Sequence, residues 1–491
     1  MHLSRRTLLF PFALLFFVGC GPDDGNTDPP NSNDVTGTIV DVHVTDEGDV
    51  EHARDATTAS VAALVLGDDG KFTRIDGTIE SNGAFVIPGV PQGSYLLELE
   101  KGSITTRIVT SERSLDLGGL YAGRPDVVRL KGETTLDLEV DGLLSWQDPD
   151  SLEMFSVGAG TDCLLSVAPA VGETALNAAV NMFDACFDAS GAEAPAAIEA
   201  SKGDKTIITQ LGTYGDPAVG NVYVSVRKAL APQSLEVADG KAVTLSGSFA
   251  DVPQKMATVS WDTASFASIA ADVHPLAAPR AFELYMGVEP GGADRTTSSA
   301  NPTLLTYQTD DPAALLTSFQ YGNPFPGEWA EYYSTYVSHS FPLTVPGSMN
   351  SRPATATLSQ SGPVSSLSGT KLGIVITPPR DIKVNGQATA SELTGIGTTP
   401  TVSWSAPTQG KAAWYSVIVR KLDPMGGPTR SAGSIRTTET SVTLPPGLLE
   451  TGSYYYLMVR ASTSAYEPKA PLKFGAGPGG SAEGLTSMLS P

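Results

Sequence analysis

Enzymatic chemistry needs polar groups that converge, and this chain offers few that do so in its sequence. Its 491 residues hold five histidines, three cysteines and 53 Asp plus Glu. His43, His52, His274 and His339 are scattered, and His2 lies at the N-terminus. H-E-x-x-H, G-x-S-x-G, a P-loop and C-x-x-C are all missing. The zinc site, nucleophile elbow, phosphate cradle and redox dithiol that those motifs build therefore have no support. Two carboxylates suffice for glycoside hydrolysis, but the acids are too many for a pair to be chosen. The reading is no enzyme, no cofactor and no metal site. His43 and His52, within the acidic insert 43–58, read as a solvated loop.

A second set of residues fits binding better than catalysis. Tyr321, Phe325, Trp329, Tyr332, Tyr333 and Tyr336 put six aromatics into 16 residues of a chain that is 7% aromatic. Exposed rings stack on sugar faces or on a partner protein, and Glu328 and Glu331 are hydrogen-bond acceptors beside them. The same rings also pin a loop onto a core. Trp329, Tyr332, Tyr333 and Tyr336 are the candidate binding residues, with an extracellular protein or polysaccharide as partner.

The cysteines divide by position. Cys163 and Cys186 form an even pair, and in an oxidising compartment they read as a disulfide. Cys20 stands apart, where an apolar run from Leu8 to Val18 stops and acidic, Gly and Pro residues follow. That run is too short for a transmembrane helix, which needs about 20 residues. Behind Arg5 and Arg6 it reads as a secretory signal peptide over 1–19. Phe17-Val18-Gly19-Cys20 resembles a bacterial lipobox. The resemblance implies cleavage after Gly19, diacylglycerol on the Cys20 sulfur and acylation of the new N-terminus with a chain such as palmitate. With Gly21 next, it implies an outer-membrane or cell-surface anchor. Ser4 to Phe10 partly matches a twin-arginine signal, but the very apolar stretch behind it favours a plain basic n-region. Residues 20–34, beginning with Cys20, carry no large apolar side chain and read as a disordered tether.

The formal net charge is −22, and removing Arg5 and Arg6 makes the rest more negative. That charge argues against nucleic acid and anionic lipid surfaces as partners. Length favours about three domains. Fifty glycines and 36 prolines between short apolar runs predict a mainly β protein: tandem β-sandwich modules, a β-rich central region and few helices.

Residues 35–120 carry the first module. Asn82-Gly83 is a hairpin turn signal, and Ala84 to Ile87 after it reads as a strand. Leu97 and Leu99 alternate with Glu98 and Glu100, and the stretch from Val35 reads as an edge strand. Gly37-Thr38-Ile39-Val40-Asp41, Gly83-Ala84-Phe85 and Gly89-Val90-Pro91-Gln92-Gly93-Ser94-Tyr95 resemble the carboxypeptidase-regulatory-like family. That resemblance implies a small transthyretin-like sandwich and no activity, with Phe85 and Tyr95 in the core.

Residues 121–375 resemble no family and read as one or two antiparallel β domains. Leu136, Leu138 and Val140 alternate with acids there. Helices are expected around Leu176 to Phe187 and after an Asp311-Pro312 cap. Residues 376–474 resemble fibronectin type III through Trp404 and Pro407, the Tyr415, Val417 and Val419 stripe, and Leu449, Tyr455, Leu457, Val459 and Ala461. The Gly/Ser-rich tail 475–491 reads as disordered. Together these residues point to a membrane-anchored envelope lipoprotein with a binding or structural role. The alternative is a carbohydrate-binding or carbohydrate-active protein using the central region.

Overall fold

In the first module, Gly37 explains how the opening strand packs. A Cβ there would lie 1.9 Å from the Leu115 carbonyl oxygen and 2.8 Å from the Phe85 ring. Val35–Thr38 therefore slots between Ala84–Ile87 and Ser114–Asp116. It is an interior strand, which corrects the expected edge: its own lack of side chain at Gly37 admits a neighbour on each side. The computed structural model describes residues 33–45, 47–187, 194–215, 222–292, 295, 297, 301–348, 351–425, 427–473 and 479–491. Cys20, the signal segment and nearly all of the tether lie outside the described residues.

The second sheet of this module runs Phe72–Asp76, Ala59–Leu66, Tyr95–Lys101, Ile104–Thr110. Phe85, Ile87, Val90, Tyr95, Leu97 and Ile108 fill the space between the sheets. Asn82 Oδ1 accepts the Ala84 amide at 2.9 Å, and Gly83 has φ 82°, a left-handed value that favours glycine. The acidic insert is not a solvated loop. Val40–Thr45 and Gly48–Ala53 pair as a hairpin, and His43 is buried against the Tyr121 ring, centroids 5.5 Å apart.

The central stretch holds two units with separate cores. In the first of them, Thr135–Asp141 lies between Leu176–Asn181 and Ala242–Ser248. Its Leu136, Leu138 and Val140 point inward, as alternation requires. The facing sheet runs Cys186–Phe187, Thr161–Leu165, Ser151–Ser156, Thr206–Tyr214, Tyr223–Gln233. Cys163 and Cys186 face each other in it, joined by a disulfide. The expected helix shrinks to Met182–Ala185, capped by Asn181 Oδ1 on the Phe183 amide at 3.0 Å. Pairing with Thr135–Asp141 claims the residues before it, and tertiary pairing overrides the helical spacing.

In the next unit, Ala278–Glu289 sits between Thr303–Thr309 and Ala330–Thr344, with Ser351–Pro363 beyond. Gln254–Thr258 and Ser318–Gly322 form a facing pair. The Asp311 cap exists, its carboxylate taking the Ala313 amide at 2.8 Å, but it starts only the 3-10 turn Pro312–Ala314. The Tyr307 hydroxyl donates to the Ala314 carbonyl at 2.9 Å and accepts the Leu316 amide at 3.0 Å. Those are the groups a longer helix would use.

The C-terminal module packs Arg380–Val384, Thr401–Ser405 and Ser441–Thr443 against Arg430–Thr437, Trp414–Leu422, Tyr454–Ser462 and Gly479–Leu485. Three strands, edged by the short Gln387–Ala388, face four in the sandwich that the fibronectin type III resemblance implies. Trp404 and Tyr455 are buried, and the Tyr455 hydroxyl accepts the Glu450 amide at 3.0 Å. The tail corrects the expected disorder: Gly479–Leu485 and Leu489–Ser490 are strands. Small residues fit there because neighbours press close. A Cβ on Gly484 would lie 2.5 Å from the Pro379 carbonyl oxygen.

Strand pairing also joins the modules. Tyr223–Gln233 pairs with Thr303–Thr309, Ser351–Pro363 with Gly479–Leu485, and Arg430–Thr437 with Ile104–Thr110. The first module meets the second again, where the Gly123 amide donates to the Val44 carbonyl at 2.9 Å. The four units thus close on one another.

Candidate functional site

Ser151–Ser156 shows how the local sequence builds a cleft. Leu152 and Met154 point into their own core. Alternation sends Ser151, Glu153 and Phe155 toward the third unit. Phe155 meets the Phe325 and Trp329 rings edge-on, at 6.4 and 5.8 Å. Glu153 is 8% exposed and takes the Thr303 amide at 2.9 Å and its hydroxyl at 2.8 Å. Asp162 stands on the adjacent strand. Glu153 pairs with Leu164 and Phe155 with Asp162, so the two acids are diagonal neighbours, Cβ atoms roughly 7 Å apart.

Around them opens a cavity of about 320 Å³, its other walls including Leu164, Leu211, Val224 and Thr303. Burial pushes the Asp162 carboxyl up to about 7. Burial, and then the Asp162 charge, push Glu153 well above the ordinary carboxylate range. Beyond Thr303, Tyr285 donates to the Asn301 carbonyl at 2.8 Å, and its ring lies 5.9 Å from that of Tyr332. Glu289 is raised by burial and held by Thr297 Oγ1 and Asn301 Nδ2, each at 2.9 Å. Sequence reasoning missed Glu153 and Asp162. The signal was an acid set inside the apolar stretch Leu152, Met154, Phe155.

The aromatic stretch divides. Tyr333 is 2% exposed and belongs to the core of the third unit, so it is withdrawn as a candidate binding residue. Tyr332 and Tyr336 leave the strand Ala330–Thr344 on the opposite face and are half-buried. Trp329 is half-buried and stacks on Phe325 at 5.6 Å. Period-two alternation places these rings on two faces, so they form no single platform. Glu331 is already occupied, by Lys255 at 2.5 Å, Asn323 at 2.7 Å and the Tyr321 hydroxyl at 2.8 Å. Glu328 is exposed.

His274 and Ser487 form a buried pair, Nε2 to Oγ 3.1 Å. The pair does not activate the serine. His274 Nδ1 accepts the Leu276 amide at 3.2 Å, so Nε2 carries the proton and donates it. A nitrogen in that state has no lone pair with which to take the serine proton. His339 contacts the Phe266 carbonyl at 3.0 Å and His43 the Gly123 carbonyl at 2.8 Å. Among the described residues, no group of three or more His, Cys, Asp or Glu is placed to hold a metal ion.

No protein-family model matches this chain, and no curated protein matches it. Among solved structures, the chicken CNTN1 FN1–FN3 domains are similar at 10% identity, over 92% of this chain and 99% of that one, with a TM-score of 0.13. Domains A168–A170 of titin are similar at 10% identity, over 95% and 94%, with a TM-score of 0.12. At such scores neither likeness bears on how the units are arranged. The β-sandwich assignment rests on the strand pairing above.

Proposed function

We propose that this chain is a cell-envelope lipoprotein, anchored through acylated Cys20 at the outer membrane or cell surface. Its β-sandwich modules bind an extracellular protein or polysaccharide without changing it chemically. The observation that carries this reading is the pairing of strands across module seams, reinforced by charge pairs. Arg124 grips Asp204 at 2.8 Å where the first unit meets the second. Arg295 reaches Asp49 at 2.5 Å between the first and third. Lys473 pairs with Asp116 between the first and last. Units locked in this way present their loops in fixed relation, so a partner meets a preorganised surface. The first module is read as carboxypeptidase-regulatory-like, supported by the close approach at Gly37 and the buried Asp41 of its opening motif.

One observation favours a second reading, a carbohydrate-active protein. Glu153 and Asp162 line an open cleft with raised affinity for protons, the acid and carboxylate pairing that glycoside hydrolysis uses. The test is purified 35–491 against polysaccharide, peptidoglycan and peptide, recording both retention and product. Retention without product, weakened in Trp329→Ala, supports binding. Reproducible product that disappears in Glu153→Gln overturns it.

A further inference from the structure

The seam between the second and third units differs from the others. Carboxylates at the other seams meet a cation: Asp204 meets Arg124, Asp49 meets Arg295, Asp116 meets Lys473 and Glu483 meets Arg460. Glu153 crosses its seam to Thr303 alone. The groups facing it are Asp162 on the neighbouring strand, Leu211 and Val224 beyond, Thr303 and Thr306 across the seam, and the Tyr285 hydroxyl behind Thr303. Among the described residues, no Lys, Arg or His lines this cleft. Strand pairing at the seam is short, Tyr223, Val224 and Ser225 against Tyr307, Thr306 and Leu305, with the Tyr223 and Ser225 hydroxyls also bonded to the Gln320 backbone.

A buried carboxylate is held by a partner charge or by a proton. With no cation present, two neighbouring acids retain a proton between them, and their titration belongs to the pair. We propose that this seam is a pH-responsive latch, closed while Glu153 and Asp162 share a proton and loosened once both are ionised. Opening exposes both acids fully to water and returns them to ordinary acidity, so the closed state binds more protons. Linkage then fixes the sign. Closure is fully favoured below the ordinary carboxylate range, near pH 4, and weakens as pH rises through the Asp162 value of about 7 and on through the titration of Glu153, which burial and the Asp162 charge raise well above the ordinary range. The proton passes to solvent water, and no bond other than O–H is broken.

Hydrogen exchange at the Thr303 amide, which Glu153 holds, reads the latch directly. The whole chain is exchanged between pH 5 and pH 8, and each rate is divided by the intrinsic rate at the same pH. The Thr357 amide is the control, because the Glu483 carboxylate that holds it is paired with Arg460. Thr303 protection is expected to fall across that range, by up to about tenfold per pH unit for each proton released, while Thr357 stays level. In Asp162→Asn the Thr303 fall is expected to shrink without vanishing, because Glu153 loses the Asp162 charge but stays buried. Glu153→Gln, which retains an acceptor oxygen, is the second variant should the first fail to fold. A level Thr303 in the unmodified chain, a parallel fall at Thr357, or an unchanged slope in the variant would overturn the proposal.

Discussion

Arg460 grips Glu483 through Nε and Nη2, at 2.8 and 2.5 Å, while the second oxygen of the same carboxylate takes the Thr357 amide at 2.8 Å. One side chain in the Gly-rich tail thereby ties the C-terminal sandwich to the unit before it. Glu483→Ala leaves that amide unsatisfied and should lower stability by about 1–3 kcal/mol, the lower half applying where Arg460 regains water. Removing 479–491 should cost far more. Urea midpoints that do not move would show that the tail contributes nothing.

Trp404 lies between the two sheets of the C-terminal module, 5.4 Å from the Tyr415 ring and 6% exposed. Trp404→Ala should cost about 3–5 kcal/mol. Tyr455→Phe loses only the hydroxyl that accepts the Glu450 amide, and should cost about 1 kcal/mol. A 376–491 fragment should fold and a 376–474 fragment should not, since the shorter one lacks the strand Gly479–Leu485. Circular dichroism of the two pieces decides it.

Asp41 titrates in the opposite sense to Asp162. Burial pushes its carboxyl up, but Lys101 at 2.7 Å, the Gly119 amide at 2.7 Å and Arg54 at 2.6 Å outweigh that and hold it below the ordinary range. Its contribution is therefore present above about pH 4 and lost as pH falls through the lowered value. Asp41→Asn should destabilise the first module by about 3 kcal/mol at pH 7, and the difference should shrink toward pH 2. Denaturation of both proteins across that range is the check, and a constant gap would refute the assignment.

Reduction tests the pair Cys163 and Cys186, which are 23 residues apart in sequence. Closing a loop of that length restricts the unfolded chain by about 3 kcal/mol on the chain-entropy account. Intact mass should rise by two hydrogen atoms on reduction by an added thiol, with a matching loss of stability. Two alkylatable thiols in freshly exported native protein would contradict the bond.

Lipidation is read at Cys20. Cys20→Ser should abolish labelling with a fatty-acid analogue and leave the signal segment uncleaved by lipid-dependent processing. Undiminished labelling would remove the anchor from the proposed function.

Much of the fold was legible because its signals are local. The Leu136, Leu138, Val140 alternation, the Asn82-Gly83 turn and the Trp404 and Tyr455 pattern each fix a strand or a corner within a few residues. What escaped depends on partners far away in sequence. Residues 479–491 look like a linker by composition, yet their glycines serve close backbone contact with Pro379 and Ser359. Leu176–Asn181 has helical spacing, but a strand 40 residues earlier claims it. His43 sits in acidic sequence, and the Tyr121 ring and Gly123 carbonyl that cover it come from far along the chain. Glu153 and Asp162 were hidden for the same reason: they lie nine positions apart, and their meeting depends on strand register and on a unit that begins about a hundred residues later.

Ala482 pairs on one side with Leu358 and on the other with Ala461. The sheet that spans the last two units is therefore closed by Gly479–Leu485, a strand far along the chain from Ser351–Pro363. Loop closure over more than a hundred residues must come before that pairing, which places the chain among slow, non-local folders. Until then the edge of Ser351–Pro363 stands open, and an open edge recruits strands from other chains. A chain with this topology exposes that edge while it folds, and its in vitro refolding yield should fall steeply with concentration.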